Sequence, residues 1–442
     1  MFKPAQKMVG LAMGATLVGV IAGCGAGPVP TASGHSKQIV DVTFWESHSA
    51  ANQQGHAIAR IVAAFNRANP SVRVTVHVTP ASAKALAAVQ AGDPPVMAMI
   101  GHASQYGYEQ AGALVNLHKF IFGPGGFPAA QLRQIWPAVW QAEFTPAHTQ
   151  YLFPVDVKVA EFFYNATLWK EAGLHGTPTT WAQLQHDAQV LQAKTGAIGL
   201  GVRLDHNDWL PLFYSNGGRY FQPGHPGRLD LNSPAMVTTI RQLIGRDNAP
   251  YAKVLSYNTS FEDFAAGRLG ILENTADGYE MVREQVAGKF PVGVFPVPPG
   301  TTGHSDVLYQ GLSFVIFSHA SPAQQRAAWS FIKYFDAPAS QAIWSVVGGE
   351  PPVSQADVTA VEALAGPRFS ANPGPYAGTA VAIRELESGD VIHKILGPAQ
   401  GEVDTVIQDQ IQTAIAHKES VATALSNMES QGMAYLSGTA AQ

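Results

Sequence analysis

The chain contains a single cysteine, Cys24, among its 442 residues. An intramolecular disulfide is therefore excluded, and the folded protein depends on its hydrophobic core. Charged residues make up only 13% of the chain, about half the usual share. The net charge is −5 and there is no basic run, so we expect no nucleic-acid partner and no broad attraction to anionic lipid. After the first 23 residues no apolar run approaches the length of a membrane span.

The first 23 residues have the composition of a secretory signal peptide. Residues 1–7 contain two lysines and no acid, and residues 8–21 are apolar. About 14 apolar residues before a small-residue site are typical of a signal that is cleaved. The sequence Ile21-Ala22-Gly23-Cys24 resembles a bacterial lipobox. That resemblance implies that Cys24 becomes the lipidated first residue, anchored to the outer face of the cell membrane; plain secretion with an incidental cysteine is the alternative.

The rest of the chain predicts alternating strands and helices. Residues 24–37 are rich in Gly, Pro, Ser and Thr and predict a flexible tether. Strands are predicted at 39–45, 72–78 and 96–100, with helices at 55–67 and 82–90 between them. This order is typical of a mostly parallel α/β sheet.

A second α/β section follows Pro154. Thr180 and Gln183 fit the start of a helix. Residues 261–266 fit a helix that is followed by a strand at 267–272, and residues 310–317 fit an apolar strand. Helices are predicted at 322–335, 339–347 and 403–416 from their apolar spacing. A length of 442 residues at about 150 residues per domain suggests two or three domains.

Several local patterns together resemble one protein family, the extracellular solute-binding proteins of bacterial ABC importers, in particular the carbohydrate-binding group. The patterns are Val42-Thr43-Phe44-Trp45, Phe65-Asn66-Arg67-Ala68-Asn69-Pro70, Ala91-Gly92-Asp93-Pro94-Pro95-Val96, Phe163-Tyr164-Asn165 with Trp169-Lys170-Glu171-Ala172-Gly173-Leu174, Pro178-Thr179-Thr180-Trp181, Phe264-Ala265-Ala266-Gly267-Arg268, and 327–335 with Gln341-Ala342-Ile343-Trp344. In this order they cover nearly all of the chain after the tether.

The resemblance implies a two-lobed periplasmic-binding-protein-like fold of type II. Two mostly parallel sheets flanked by helices would be joined by a hinge that closes around a ligand. The crossings are predicted near Pro154, near Gln310-Gly311 and near Pro351-Pro352. Lobe one would hold 38–153 and 312–352, and lobe two 154–311 and 353–438.

The resemblance also implies a monomeric, non-catalytic receptor. It would capture a mono- or oligosaccharide outside the cell and deliver it to the transmembrane subunits of an ABC permease, with the lipid anchor as its membrane contact. No cofactor and no metal are expected, because the spacing of Asp205, His206 and Asp208 fits no zinc or calcium site.

Ligands of open α/β sheets lie beyond the carboxyl ends of the strands. That rule selects polar side chains that can pair with sugar hydroxyls. The predicted ligand-binding residues of this kind are Glu46, Ser47, His48, His102, Ser104, Asp156, Lys158, Glu273, Asn274 and Gln310. Sugars also need a flat apolar surface, which adds Trp209 and Trp344. Asn207 and Asp208 accompany Trp209 in a polar-aromatic loop, and Glu350 follows shortly after Trp344.

Three other functions stay open at this point. The patterns also resemble binding proteins for glycerol 3-phosphate or a glycerophosphodiester, but the arginine expected before the C-terminal helix is absent from Leu396-Gly397-Pro398-Ala399-Gln400-Gly401-Glu402-Val403. Lys158 is a possible substitute for it. A surface glycosidase would need two carboxylates about 5–9 Å apart, for example Glu46 and Glu273. An adhesin or sensor would share the same cleft.

Overall fold

The structure is a computed structural model that describes residues 39–145, 148–203, 206–223, 225–247, 249–389, 391–393 and 400–438. The predicted signal peptide (1–23), the tether (24–37) and Cys24 lie outside the described residues. Within the described ranges, no helix has both the length and the apolar character that a membrane crossing requires.

The strands provide the frame of the fold. They are β1 (Val40–Glu46), β2 (Val72–Val78), β3 (Met97–Gly101), β4 (Phe153–Pro154), β5 (Ala160–Asn165), β6 (Ile198–Val202), β7 (Phe221–Gln222), β8 (His225–Leu229), β9 (Ala252–Val254), β10 (Leu269–Thr275), β11 (Val292–Pro296), β12 (Val307–Tyr309), β13 (Leu312–Ile316) and β14 (Val391–His393).

Helices lie between these strands and cover them. They are α1 (Gln53–Ala68), α2 (Ala81–Ala91), α3 (Gln105–Gln110), α4 (His118–Ile121), α5 (Ala129–Leu132), α6 (Pro137–Ala142), α7 (Ala166–Glu171), α8 (Trp181–Thr195), α9 (His206–Ser215), α10 (Pro234–Asp247), α11 (Tyr257–Ala265), α12 (Tyr279–Val286), α13 (Pro322–Phe335), α14 (Pro338–Gly348), α15 (Val358–Ala365), α16 (Ala377–Ser388), α17 (Gln400–Ile415) and α18 (Val421–Leu436).

Two five-stranded sheets form the centre of the molecule, as the sequence predicts. The first has the order β2-β1-β3-β13-β4 and the second the order β11-β5-β10-β6-β9. In the first sheet β13 runs antiparallel to both of its neighbours, and in the second sheet β5 does. Each sheet is therefore mostly parallel, with one reversed strand. That reversed strand is the first one after the chain passes from the other sheet.

Two of these passages lie side by side. The chain leaves the first sheet at β4 and enters the second at β5, and it returns between β12 and β13. Lys158 and Gln310 pair antiparallel where the two passages meet. The Lys158 N–H donates to the Gln310 carbonyl at 2.5 Å, and the Gln310 N–H donates to the Lys158 carbonyl at 2.8 Å. We call this pair of segments the crossing strands.

The strand predicted over residues 310–317 is interrupted at its start. β12 ends at Tyr309 and β13 begins at Leu312. A side chain at Gly311 would meet the Tyr309 hydroxyl and lie 2.7 Å from the Asp156 carbonyl oxygen. The close approach of the other crossing strand therefore requires glycine here, and that constraint is not visible in the hydrophobic pattern.

The segment after Pro351-Pro352 stays close to elements of the first sheet. The Trp136 N–H donates to the Val353 carbonyl at 3.1 Å, and Ile135 pairs with Ser354. Helix α15 packs on α14, whereas α16 packs on β5 and β11 of the second sheet. We therefore propose that the third passage lies between α15 and α16, later than the predicted Pro351-Pro352. The predicted lobe boundaries otherwise stay predictions.

Local sequence explains where the helices begin. Asn52 caps α1 by accepting a hydrogen bond from the Gly55 N–H at 2.8 Å, and Ile58, Ile61, Val62 and Phe65 form its buried face. Thr180 caps α8 as predicted, accepting from the Gln183 N–H at 3.1 Å. Ser321 and Gln324 form a reciprocal capping box at α13. Caps of this kind satisfy backbone N–H groups that the first helical turn leaves free.

Candidate functional site

The carboxyl end of β1 carries a buried acid–histidine pair. Glu46 is 1% exposed. Its Oε2 accepts the His48 backbone N–H at 2.6 Å and lies 3.1 Å from His48 Nδ1. The His48 ring meets the edge of Trp344, with centroids 5.8 Å apart. Ser47 points elsewhere, because its Oγ accepts the Ala81 N–H at the start of α2. The structure thus gives Ser47 a helix-capping contact.

A lysine and three carboxylates meet beside the crossing strands. The Nζ atom of Lys158 lies 3.1 Å from Asp277 Oδ2, 3.9 Å from Asp156 Oδ2 and 4.0 Å from Glu350 Oε1. The side chains of Asp156 and Glu350 are fully buried, and that of Lys158 is 22% exposed. We call Asp156, Lys158, Asp277 and Glu350 the crossing cluster. The cluster contains Asp156 and Lys158 from the first crossing strand. Glu350 comes from the loop after α14, and Asp277 from the turn after β10.

The charges in the crossing cluster are unequal. Burial opposes the charge of Lys158, but Asp277, Glu350 and Asp156 outweigh it and raise the pKa of Lys158 well above its ordinary value. Burial also disfavours ionised Asp277, but Lys158 outweighs that effect and lowers the pKa of Asp277. For Asp156 and Glu350 burial prevails over Lys158 and raises the pKa. Lys158 and Asp277 therefore form one ion pair, and Asp156 and Glu350 have no second lysine or arginine beside them among the described residues.

Each carboxyl group of the crossing cluster has one oxygen held by the protein. The Leu312 N–H donates to Asp156 Oδ1 at 2.6 Å, and Gln54 Nε2 donates to Glu350 Oε1 at 3.3 Å. The other oxygens, Asp156 Oδ2, Asp277 Oδ1 and Glu350 Oε2, are buried without a hydrogen-bond partner among the described residues. Such atoms favour a ligand that donates hydrogen bonds, because an unsatisfied buried acceptor costs about 1–3 kcal/mol.

A second polar group lies beyond the end of β3. His102 Nε2 is 2.9 Å from Glu143 Oε1, and His102 Nδ1 is 3.1 Å from the Gly311 carbonyl oxygen. Burial opposes protonation of His102, but Glu143 and Gly311 outweigh it, so the pKa of His102 is raised. Ser313 Oγ donates to Glu143 Oε1 at 2.9 Å and lies 3.2 Å from His102 Nε2. Ser104 is half-buried in the turn that follows His102.

The Ser313, His102 and Glu143 side chains do not have the geometry of a nucleophilic triad. In a triad the serine meets one ring nitrogen, and the acid orients the histidine through the other. Here both Ser313 and Glu143 contact Nε2, and Nδ1 faces a backbone carbonyl. Ser313 is also fully buried. The group is therefore a buried polar network rather than an activated nucleophile.

The remaining predicted residues are more dispersed. Glu273 and Asn274 lie within β10, which runs on to Thr275, and both are 4% exposed. Asn274 Oδ1 accepts the Thr275 N–H at 2.8 Å, and its Nδ2 is buried without a hydrogen-bond partner in the described part of the chain. Gln310 is half-buried in the crossing strands. The side chains of Asn207 and Asp208 lie outside the described residues.

Both predicted aromatic platforms are fully buried in this conformation. Trp209, on α9, is 0% exposed and packs against Phe213 with ring centroids 6.3 Å apart. Trp344, on α14, is 0% exposed and lies between Phe335, at 5.5 Å, and His48, at 5.8 Å. Trp344 is thus next to the polar groups of the site, while Trp209 packs in the core. Their role in stacking on a ligand stays a prediction.

The structure brings together eight of the fifteen predicted ligand-binding residues. They are Glu46, His48, His102, Asp156, Lys158, Gln310, Trp344 and Glu350. The prediction missed Asp277, although it follows a predicted strand and the same rule would have selected it. It also missed Gln54, Glu143, Tyr309 and Ser313, for which no sequence motif gives a signal. Among the described residues, no group of three or more His, Cys, Asp or Glu is arranged to hold a metal ion.

Comparisons with known proteins match this architecture. The family model described as bacterial extracellular solute-binding protein matches residues 60–373. A probable ABC transporter-binding protein from Deinococcus radiodurans is 25% identical over 206 residues, which are 42% of this chain and 46% of that protein. The matched region thus spans about half the length of that relative.

Solved structures resemble the whole fold more closely than the sequences suggest. The sugar-binding protein MalE from Xanthomonas citri has a TM-score of 0.76 at 19% identity, covering 90% of this chain and 98% of that one. The cyclic alpha-maltosyl-1,6-maltose binding protein from Arthrobacter globiformis has a TM-score of 0.75 at 22% identity, with coverage of 90% and 100%. UgpB from Mycobacterium tuberculosis, in complex with glycerophosphocholine, has a TM-score of 0.74 at 18% identity, with coverage of 90% and 99%. These likenesses confirm the predicted two-lobed fold.

Proposed function

Because this chain belongs to the family of bacterial extracellular solute-binding proteins, we propose that it captures a sugar between its two sheets for uptake by an ABC transporter. Ligand that contacts both lobes binds the closed form more tightly and shifts the population toward it. The ligand is a mono- or oligosaccharide that reaches the site from outside the cell. An affinity near micromolar would correspond to about −8 kcal/mol.

The observation that carries this proposal is the set of unpartnered buried oxygens in the crossing cluster. Asp156, Asp277 and Glu350 each leave one acceptor without a hydrogen-bond partner. Sugar hydroxyls donate hydrogen bonds, so they would satisfy these acceptors. Trp344, which is packed against His48 in this conformation, would become a stacking surface only if movement of the lobes exposes it.

The proposed ligand-binding residues are those predicted from the sequence. In the site we place Glu46, His48, His102, Asp156, Lys158, Gln310, Trp344 and Glu350, and we add Asp277 from its contact with Lys158. Ser104, Asn207, Asp208, Trp209, Glu273 and Asn274 remain candidates that would act if the lobes move. Ser47 is the weakest candidate, because its hydroxyl is already used to cap α2.

A glycerophosphodiester is the second candidate ligand. Its support is the likeness to UgpB, which was solved with glycerophosphocholine. A phosphate needs an arginine, a lysine or free backbone N–H groups. The cation beside the site is Lys158, and it is already surrounded by three carboxylates. The local charge therefore favours a sugar over a phosphate.

We also infer the cellular location of the protein. Family membership places the protein outside the cytoplasm. We propose that Cys24 is lipidated and holds a monomer at the outer face of the membrane, next to its permease. We also propose that the protein is not an enzyme, because the Ser313–His102–Glu143 group lacks an acid on Nδ1.

Titration calorimetry of the purified protein tests the proposed ligand class. We would titrate maltose, trehalose, xylo- and cello-oligosaccharides, glycerol 3-phosphate and glycerophosphocholine. We expect a neutral sugar to bind the unmodified protein and to bind Lys158→Met at least tenfold more weakly. The control Lys170→Met, whose exposed side chain lies on α7, should bind the sugar as the unmodified protein does. Binding of the phosphate compounds alone would favour the second candidate. Steady product formation from any oligosaccharide would contradict the non-catalytic role.

A further inference from the structure

We propose that the crossing cluster selects ligands by charge, so that an amine-bearing sugar binds more tightly than its neutral counterpart and a phosphorylated sugar is rejected. The inference rests on the proposed function, since it refines which sugars the same site accepts. It makes Asp156 and Glu350 the specificity-determining residues.

The crossing cluster contains more acidic groups than basic ones. Lys158 is the only lysine or arginine of the described residues within 4.0 Å of the carboxylates of Asp156, Asp277 or Glu350. One cation therefore faces three acidic groups. His48 adds a positive charge only when it is protonated, and its Nδ1 already lies 3.1 Å from Glu46. His102 also interacts with Asp156, but it is paired with Glu143 at 2.9 Å. Among the described residues the cluster therefore has more acidic groups than the neighbouring cations balance.

The oxygens without hydrogen-bond partners indicate which ligand groups the cluster favours. The protein satisfies one oxygen of each carboxyl group, through the Leu312 N–H for Asp156, Gln54 for Glu350 and Lys158 for Asp277. The other oxygen of each is buried and unpartnered among the described residues. An ammonium group offers three donors and a positive charge, and a hydroxyl offers one donor. A phosphate offers acceptors and negative charge, so both of its properties are unfavourable here.

The groups of the crossing cluster differ in how deeply they are buried. Asp156 and Glu350 are fully buried, where charge interactions are stronger than in water. Lys158 and Asp277 are 22% and 16% exposed, so solvent reaches the cluster on their side. Charge-assisted hydrogen bonds are about twice as strong as neutral ones. The energetic difference between an amine and a hydroxyl is therefore expected to be large at this position.

The experiment compares three ligands that differ in charge. Titration calorimetry at pH 7 would use cellobiose, the corresponding disaccharide of glucosamine, and phosphorylated cellobiose. We expect the amine form to bind at least tenfold more tightly than cellobiose, and the phosphorylated form not to bind. In Asp156→Asn and Glu350→Gln the preference for the amine should fall at least threefold. The control Glu262→Gln, an exposed carboxylate on α11, should keep it.

The outcomes separate this inference from the proposed function. Binding of cellobiose with equal or tighter binding of the phosphorylated form would overturn the charge selection while the sugar receptor stands. An amine preference that survives both substitutions would overturn the role of Asp156 and Glu350. Binding of none of the three sugars, but of glycerophosphocholine, would contradict both proposals. The ligand ranking in the unmodified protein decides the question even if one variant does not fold.

Discussion

The Nζ atom of Lys158 lies 3.1 Å from Oδ2 of Asp277, so an ion pair links a crossing strand to the turn after β10. Asp156 and Glu350 lie within 4.0 Å of the same ammonium group. Lys158 is therefore the counter-charge for acidic groups that come from three separate parts of the chain. Its removal would affect the junction between the two sheets, whatever ligand the protein binds.

The first prediction concerns the replacement Lys158→Met. It leaves Asp156, Asp277 and Glu350 together without their cation, and breaking a buried ion pair typically costs about 3–5 kcal/mol. Without the lysine, the pKa of Asp277 loses the effect that lowers it, and the pKa values of Asp156 and Glu350 rise further in the folded state. The free energy of unfolding of the variant is then highest at low pH, where the carboxyl groups are protonated, and it falls as the pH rises. Urea unfolding should show a large loss at pH 7 and a smaller one at pH 4, with partial recovery in Lys158→Arg. Equal losses at both pH values would contradict this account.

The second prediction concerns a buried acidic pair, Asp336 and Asp357, that is not part of the crossing cluster. Burial raises the pKa of Asp357 to about 7. Burial, followed by the charge of Asp357, raises the pKa of Asp336 well above its ordinary value, and Gln131 donates to Asp336 Oδ2 at 3.2 Å. The folded state therefore binds more protons than the unfolded state, in which Asp titrates near 4. The stability contributed by Asp357 is complete below about pH 4 and is lost as the pH rises through about 7.

Asp357→Asn should reduce this pH dependence. Each proton that the folded state retains is worth up to about 1.4 kcal/mol per pH unit. Urea unfolding between pH 4 and pH 8 should give a shallower decrease of the free energy of unfolding in the variant. Asp41→Asn is the matched control, because the Asp41 side chain is 66% exposed. An unchanged slope in Asp357→Asn would show that Asp357 titrates normally.

The third prediction concerns the outer edge of β2. Asn66 donates from Nδ2 to the Val74 carbonyl and accepts the Val74 N–H through Oδ1, both at 2.9 Å. Because β2 is an edge strand, this side chain occupies backbone groups that another strand would otherwise pair with. Asn66→Ala should cost about 1–3 kcal/mol in chemical unfolding and increase light scattering on heating. Asn66→Asp keeps only the acceptor and should be intermediate in stability if both bonds contribute.

The fourth prediction concerns a contact between helices that pack on different sheets. Gln53, at the start of α1, donates from Nε2 to Glu284 Oε1 on α12 at 3.1 Å. The contact is exposed, so its loss should cost less than about 1 kcal/mol. Gln53→Ala should weaken ligand binding about two- to fivefold and raise the radius of gyration of the ligand-free protein in X-ray scattering. A variant with unchanged scattering and unchanged affinity would exclude Gln53 from closure.

Much of the secondary structure could be predicted from local patterns. The apolar spacing at Ile58, Ile61, Val62 and Phe65 indicated α1, and the alternating valines of residues 72–78 indicated β2. Caps at Thr180 and Ser321 lie where their residue types favour helix starts. The constraint on Gly311 was not predictable, because it depends on the approach of the Asp156 carbonyl on the other crossing strand. A hydrophobic pattern does not record such long-range contacts.

The sequence by itself determined the order of elements, the absence of an internal disulfide, and the family resemblance carried by its local motifs. These properties depend on residue type and short-range spacing. Only the tertiary structure decided which polar side chains meet. Lys158 gains its counter-charges from Asp277 and Glu350, and His102 gains Glu143, because chain crossings bring distant segments together. Burial then shifts the pKa values of these groups, and burial is a property of the fold rather than of any single segment.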